Sequence, residues 1–413
     1  MKNLQKTDPE IANLIESELN REKNNLDLIP SENYASKSVL EACGSILNNK
    51  YAEGYPKKRY YQGNKYIDEV ELLAIERAKK LFNAEHANVQ PNSGSPANIA
   101  VFLALLKPKD KIMGMALSHG GHLTHGSPVN FSGKNYTIVE YGVDKDTEIL
   151  NLDELRKIAI KEKPKLILSG YTAYPRKIDF KEFHEIAQEV GAYSMADISH
   201  IAGLIVGGAH QSPLPFTDVI TTTTHKTLRG PRGAIILCKE KFAKEIDKTV
   251  FPYLQGGPHE HIIAAKAVAF KEAMQPEFKE YVKQIVKNAK MLAETLMDKG
   301  IKLVTDGTDT HLILIDLIKT LNKKGLGRPV AIALEEGGIV TNANTIPFDP
   351  STPFNPSGIR LGTPILTTRG MKENEMKEIG ELISKVIKNY ENKDVIKSTK
   401  QKVLGLCKEF PIY

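Results

Sequence analysis

Cysteine is scarce in this chain. Cys43, Cys238 and Cys407 are the three in 413 residues, far apart and without a Cys-x-x-Cys pair. This argues against a disulfide scaffold and a cysteine-ligated structural zinc site, and it fits a reduced compartment. Long apolar runs are missing too: the longest, Ile99 to Leu106, is far too short to span a bilayer. The polar opening Met-Lys-Asn-Leu-Gln-Lys carries no apolar signal core, so a cytoplasmic location is expected. One-sided charge is also lacking. Against 50 acidic residues stand 56 Lys and Arg, a net charge of +6, dispersed rather than blocked. A nucleic-acid face is not indicated, whereas small anionic ligands remain compatible. Low-complexity tracts and internal repeats are absent. What remains, 41% hydrophobic and 26% charged, is the composition of a globular protein with a large core.

Strand and helix patterns alternate through the first two thirds of the chain. Strands are predicted at 136–141, 166–169, 193–196, 219–223 and 234–238, and helices at 67–82, 94–106, 152–161 and 180–190. Such alternation implies a mainly parallel α/β sheet with helices on both faces. Beyond residue 260 the pattern changes. Two long helices (261–274 and 277–299, separated by Pro276) precede short strands at 302–304 and 312–317. A helix near 330–336 and a final one at 373–389 complete a smaller α+β region. Residues 26–61 are irregular and read as an arm and long loops. The expected division is an N-terminal helical arm (1–50), a large α/β domain (51–275) and a small C-terminal α+β domain (276–413).

The most informative segment is Asp218-Val-Ile-Thr-Thr-Thr-Thr-His225-Lys226-Thr-Leu-Arg229-Gly-Pro-Arg232-Gly. An apolar strand runs into hydroxyls, then a His-Lys pair, then a Gly-Pro turn. A lysine held there can condense with an aldehyde once burial or nearby cations lower its pKa, and Arg229 and Arg232 flank it. Upstream, Tyr193-Ser-Met-Ala-Asp197-Ile-Ser-His200 is a second strand ending in a carboxylate and an imidazole. A lysine for a Schiff base and an aspartate for a pyridinium nitrogen are the minimum kit for pyridoxal phosphate. Alone, Lys226 is a solvated charge and Asp197 a helix cap. Together they sit where open α/β sheets hold ligands, at the carboxyl ends of strands.

Other motifs are weaker singly. Ser93-Gly94-Ser95 opens a helix and could cradle a phosphate through free N–H groups, or could be an ordinary cap. Gly256-Gly257-Pro258 could likewise present N–H groups to an anion. His119-Gly-Gly-His122-Leu-Thr-His125 packs three histidines into seven residues. With no cysteine or carboxylate nearby, a ring stacked on a flat ligand is a better reading than a metal site. The loop Tyr51-Ala-Glu53-Gly-Tyr-Pro-Lys-Lys-Arg-Tyr-Tyr61 joins phenols, cations and one carboxylate; it suits acid–base chemistry or an interface. Arg360, in Ser357-Gly-Ile-Arg-Leu-Gly-Thr-Pro, could grip a carboxylate bidentately.

With these residues in view, the chain resembles the serine (glycine) hydroxymethyltransferase family. The carriers are Pro30-Ser-Glu-Asn-Tyr, Asn49-Lys-Tyr-Ala-Glu-Gly-Tyr-Pro, Lys58-Arg-Tyr-Tyr, His119 through Gly133, Thr221 through Gly233 and Gly358-Ile-Arg-Leu-Gly-Thr-Pro. The resemblance implies a pyridoxal phosphate-dependent transferase of fold type I. It implies a homodimer with active sites at the subunit interface, moving the hydroxymethyl group of serine to tetrahydrofolate. Position by position, Lys226 resembles the Schiff-base lysine, Asp197 the ring-nitrogen partner and His122 the stacked ring. His225 stands beside the lysine. Ser93, Gly94 and Ser95 match phosphate contacts, as do Tyr51 and Gly257 from a neighbouring subunit. Thr172 and His200 match groups near the phenolic oxygen. Arg360, Ser31 and Tyr61 match the amino-acid carboxylate site, and Glu53 the carboxylate that handles protons. Leu117, Gly121, Leu123 and Asn344 match folate-side positions. Asn92, Pro96 and Ser199 depart from the family pattern, which has His, Gln and Ala there. No metal is implied. A folate-independent aldolase acting on β-hydroxy amino acids is the alternative enzyme; a regulatory or RNA-binding homologue gains little support from the dispersed charge.

Overall fold

A computed structural model describes residues 2–413. Its centre is a seven-stranded sheet ordered His86–Asn88, Ala234–Cys238, Val219–Thr223, Tyr193–Asp197, Leu166–Ser169, Lys111–Met115 and Thr137–Tyr141. The last five pair in parallel, and Ala234–Cys238 runs antiparallel to both its neighbours. Three of these strands are apolar or hydroxyl-bearing and buried at every position: Leu166–Ser169, Val219–Thr223 and Ala234–Cys238. This is the signature of a sheet covered on both faces. The covering helices are amphipathic. Phe180–Glu189 buries Phe180, Phe183, Ile186 and Ala187 and starts where Asp179 accepts the Glu182 N–H.

One core lies on each face of this sheet. The first gathers Met113, Ile167, Ala196, Ile220 and Ile235 beneath several helices; the second gathers Ala97, Val101, Phe102, Leu168, Met195 and Ile236. The C-terminal region has its own four-stranded antiparallel sheet, ordered Lys302–Leu303, Leu312–Asp316, Gly358–Gly362 and Asn342–Asn344. Its core takes in Leu26 and Leu28 from the N-terminal segment, whose short strand Leu26–Asp27 pairs with Ile339–Val340. The long helix Pro276–Asp298 serves both halves: Phe278, Val282 and Ile285 enter the first core, while Leu292, Ala293 and Leu296 enter the C-terminal one.

Several elements differ from the sequence expectation. His86–Asn88 and Lys111–Met115 are strands although His-Ala-Asn and Lys-Ile-Met-Gly-Met have little β propensity. Pairing with Ala234–Cys238 and with Thr137–Tyr141 decides them. The helix at 373–388 is not the last, since Lys393–Glu409 follows, capped by Asn392 and burying Ile396, Thr399, Val403, Leu406 and Cys407. Lysines crowding its outer face dilute that apolar stripe. Pro276, read as a separator, is the first residue of its helix, where the missing N–H costs nothing.

Candidate active site

A cavity of about 480 Å³ opens at the carboxyl ends of the parallel strands. Tyr193–Asp197 delivers Asp197 to it, and Val219–Thr223, in register with Asp197 opposite Thr221, delivers Lys226 three residues beyond its end. Ser31, Ser93, Gly94, Ser95, His122, Thr172, His200, His225 and Arg360 also line it. Residues spread over more than 300 positions of the sequence thus meet around one space.

Asp197 is the most heavily bonded group in the cavity wall. Its Oδ2 accepts from Asn98 Nδ2 at 2.9 Å and lies 3.1 Å from His125 Nε2. Its Oδ1 accepts from the Ser199 N–H at 3.1 Å and from Ser199 Oγ at 2.6 Å. Burial opposes ionisation, but the hydrogen bonds from His125 and Asn98 more than offset it, holding the carboxyl far below the usual range. Asn98 is fixed in turn, because Thr221 Oγ1 donates to its Oδ1 at 2.6 Å. Asn98 was not singled out from sequence, and Ser199 appeared there only as a departure from the family pattern. Only the His125 motif offered a signal, and it pointed to no partner.

Burial lowers the Lys226 ammonium first. Asp197 opposes that, the Arg360 and Arg232 charges add to it, and the net value is about 8. The expected contribution of Arg229 is corrected: its guanidinium stacks on the Tyr281 ring at 4.6 Å, and the cations that act on the amine are Arg360 and Arg232. Burial likewise keeps the neighbouring imidazoles neutral, pushing His122 to about 4 and His225 to about 3. His122 Nδ1 accepts the Thr124 N–H. His200 Nδ1 lies 3.3 Å from His311 Nε2, with the two rings stacked. His311, also unforeseen, comes from the C-terminal region. The buried His200 Nε2 and His225 Nδ1 have no partner in the protein.

The helix Gly94–Leu105 points its N-terminus at the same space. Ser93 caps it without a side-chain hydrogen bond, so its hydroxyl is uncommitted. A Cβ at Gly94 would lie 2.8 Å from Thr223 Cγ2, so glycine is required for the turn to approach the sheet. Opposite, Arg360 donates from Nε to Asn342 Oδ1 at 3.0 Å and from Nη1 to Thr172 O at 2.8 Å, leaving Nη2 uncommitted. Burial lowers its pKa to about 10, so it remains cationic at neutral pH. Ser31 reaches the cavity because Pro30 packs against Gly362, two residues beyond Arg360.

The remaining candidates lie outside this cavity. Tyr51 Oη donates to Glu53 Oε1 at 3.3 Å, and the Tyr51 and Tyr61 rings meet edge-on at 5.1 Å. A Cβ at Gly257 would lie 3.2 Å from the Tyr51 ring. Tyr51, Glu53, Tyr61 and Gly257 therefore form a second, surface cluster, with Tyr51 54% exposed. Leu117 and Leu123 are exposed on the segment that carries His122. Gly121 donates its N–H to Ala116 O at 3.0 Å, and Asn344 lies on the edge strand opposite Gly358. Among the described residues no group of His, Cys, Asp and Glu is arranged to hold a metal ion, and no helix is long and apolar enough to cross a membrane.

An amine poised near neutrality, a fixed carboxylate, a helix N-terminus whose Ser93 hydroxyl is uncommitted and a free guanidinium edge could hold a phosphate-bearing heteroaromatic aldehyde beside an amino acid. Residues 4–383 match the family model described as serine hydroxymethyltransferase. The chain is 58% identical over 414 aligned positions to a serine hydroxymethyltransferase of Prochlorococcus marinus strain AS9601, covering 100% of this chain and 97% of that relative. The relative from strain MIT 9301 matches to the same extent. The chain belongs to the serine hydroxymethyltransferase family.

Proposed function

We propose that this family member moves a hydroxymethyl group between serine and tetrahydrofolate, giving glycine and 5,10-methylenetetrahydrofolate in the forward direction. The observation that carries the proposal is the meeting of Lys226, Asp197 and Arg360 around one cavity.

The cavity fits pyridoxal 5'-phosphate. The Lys226 amine would attach to its aldehyde, and Ser93, Gly94 and Ser95 would take its phosphate. The unpartnered nitrogens of His200 and His225 are the kind of buried polar atoms that a polar ligand satisfies. When bound, the cofactor supplies an electron sink for a bond breaking at the substrate Cα. The protein does the rest. Asp197, kept ionised by its three neighbours, would hold a proton on the ring nitrogen. Neutral His122, which lines the cavity, would stack on the ring. Arg360 grips the substrate carboxylate through its free edge and with Ser31 fixes the rotation about Cα, which decides which bond is broken. Lys226, neutral above about pH 8, takes and returns a proton near Cα.

Glu53 would move a proton on or off the serine hydroxyl, yet it lies outside its own chain's cavity. We infer a homodimer in which the Tyr51, Glu53, Tyr61 and Gly257 cluster of one protomer completes the cavity of the other. Exposed aromatic side chains there, including Tyr60 at 71% and Tyr253 at 69%, suit an interface. Leu117, Gly121, Leu123 and Asn344 would face folate. The cytoplasm is the expected setting, and the division at residues 50 and 275 is retained as a description of the large and small domains.

The test has two parts. Serine cleavage by the wild-type enzyme should depend on tetrahydrofolate; equal rates without folate would favour the aldolase instead. Mixing Lys226→Ala protein with Glu53→Gln protein, each inactive alone, should restore activity, because one site of the mixed dimer then holds both intact residues. No recovery after verified subunit exchange would place Glu53 in its own chain's site or outside the chemistry.

A further inference from the structure

Between the Tyr51–Glu53 cluster and the Ser93–Ser95 turn lies a buried polar joint that the reaction itself does not use. Its centre is Gln90, 2% exposed. The Gln90 amide donates from Nε2 to Gly54 O at 2.9 Å and to Glu71 Oε1 at 2.8 Å. Both neighbours are acceptors, so the amide can face only one way. Arg59 reinforces the same loop. Its Nη1 donates to Ala52 O at 2.8 Å and to Gly54 O at 3.0 Å, and its Nη2 to Glu71 Oε2 at 2.6 Å. The Tyr60 N–H donates to Glu53 O at 3.0 Å. The carbonyls of residues 52, 53 and 54 are all held, which fixes the backbone from which Glu53 projects.

The backbone of Gln90 is held equally tightly on the other side. Gln255 donates from Nε2 to Gln90 O at 3.1 Å and accepts the Asn92 N–H at 3.1 Å, one residue before Ser93. The buried Lys266 ammonium donates to Val89 O at 2.7 Å and Pro91 O at 3.1 Å, and to Ala234 O at 2.9 Å on the adjoining strand. Gln255 also precedes Gly256 and Gly257, whose added Cβ atoms would lie 3.4 Å from Glu53 Oε1 and 3.2 Å from the Tyr51 ring. The Glu53 loop is thus fixed by the buried side chains of Arg59 and Gln90, both tied to Glu71, and the 89–92 segment by Gln255 and Lys266.

We propose that Gln90 is a positioning residue that sets the Glu53 loop and the Ser93–Ser95 turn relative to each other. A single side chain then governs both cofactor retention and proton handling at the hydroxymethyl group. This rests on the roles given above to Glu53 and to the phosphate turn. Where one chain's Glu53 serves its partner, the joint also links the geometry of the two sites of a dimer.

The test uses the full-length Gln90→Leu protein, which keeps volume and removes both donors. Three quantities are measured: the pyridoxal phosphate dissociation constant by equilibrium dialysis, kcat and KM for serine with tetrahydrofolate, and Tm. The expected result is a dissociation constant raised about tenfold and kcat lowered about tenfold, because ångström displacements at reacting groups have effects of that order or larger. Serine KM should change little, since Arg360 is untouched. Asn288→Ala, in the helix Pro276–Asp298 and bonded to Thr367 and Met371, serves as the reference for destabilisation alone; its dissociation constant and kcat should stay near wild type. If Gln90→Leu shifts only Tm, or only one of the two other readouts, the proposal is overturned. Should Gln90→Leu fail to fold, Gln90→Asn, too short to reach both acceptors, is judged by the same criteria. A wild-type protein that neither binds pyridoxal phosphate nor cleaves serine would instead defeat the functional reading, which separates the two failures.

Discussion

His125 Nε2 stands 3.1 Å from Asp197 Oδ2, with both side chains buried at the wall of the cavity. The contact joins a loop histidine to a strand-end carboxylate 72 residues away and, with Asn98 and Ser199, engages both oxygens of Asp197 and fixes its orientation.

The first prediction concerns that carboxylate. Asp197→Asn should lower kcat for serine by roughly 10²–10³-fold, as the loss of one preorganised electrostatic partner does elsewhere. Asn98→Ala and Ser199→Ala, each removing one supporting hydrogen bond, should cost about tenfold or less. Steady-state rates on cofactor-saturated protein distinguish these cases. Equal rates for Asp197→Asn and wild type would remove Asp197 from the mechanism.

Attachment of the cofactor should depend on pH in a defined direction. The Lys226 pKa is lowered from 10.5 to about 8, and the neutral amine is the nucleophile. The rate of loading apoenzyme with pyridoxal phosphate should therefore rise with pH up to about 8 and level off above it. Arg360→Met removes a nearby positive charge and should move the inflection upward. Stopped-flow absorbance from roughly pH 6 to 10 spans the range between depressed and ordinary lysine values. Lys226→Ala should show no borohydride-stable adduct by mass spectrometry, and an adduct elsewhere on the chain would refute the assignment.

Arg360→Lys keeps the charge and loses the planar fork. With Asn342 and Thr172 O already claiming two of its nitrogens, the geometry of the free edge depends on guanidinium shape. KM for serine should rise about 100-fold, the scale of a charge-assisted bidentate contact worth a few kcal/mol. A KM within threefold of wild type would show that another group binds the carboxylate.

Gly203 offers a test of packing beneath the lysine. A Cβ there would fall 2.3 Å from Thr227 O, and the Gly203 N–H donates to Thr227 Oγ1 at 3.0 Å. Gly203→Ala should displace the segment carrying Lys226, lowering Tm and slowing cofactor loading together. A variant with wild-type loading kinetics would mean that the helix at Ala202–Val206 shifts instead.

Much of this was legible in the chain itself, and the reasons are local. Val219–Thr223 and Leu166–Ser169 are runs whose residue types leave only a buried strand. The abrupt change from Thr224 to His225-Lys226 marks where that strand meets polar chemistry. The amphipathic stripe of Phe180–Glu189 gives its helix and its buried face. Lys393–Glu409 was not legible, because five lysines interrupt its stripe and only contact with the C-terminal core reveals it. Lys111–Met115 has weak propensity of its own and is a strand because two neighbours claim its backbone.

By itself the sequence determined the reactive groups, the strands that end in them and the family to which they belong, since each is written in contiguous residues. Tertiary structure alone decided that Asn98 and His125 converge on Asp197, that Arg229 turns to Tyr281 while Arg360 faces Lys226, and that Glu53 stands apart from its own chain's cavity. These outcomes depend on contacts between segments tens to hundreds of residues apart, and no short-range pattern of residue types encodes which distant segments will touch.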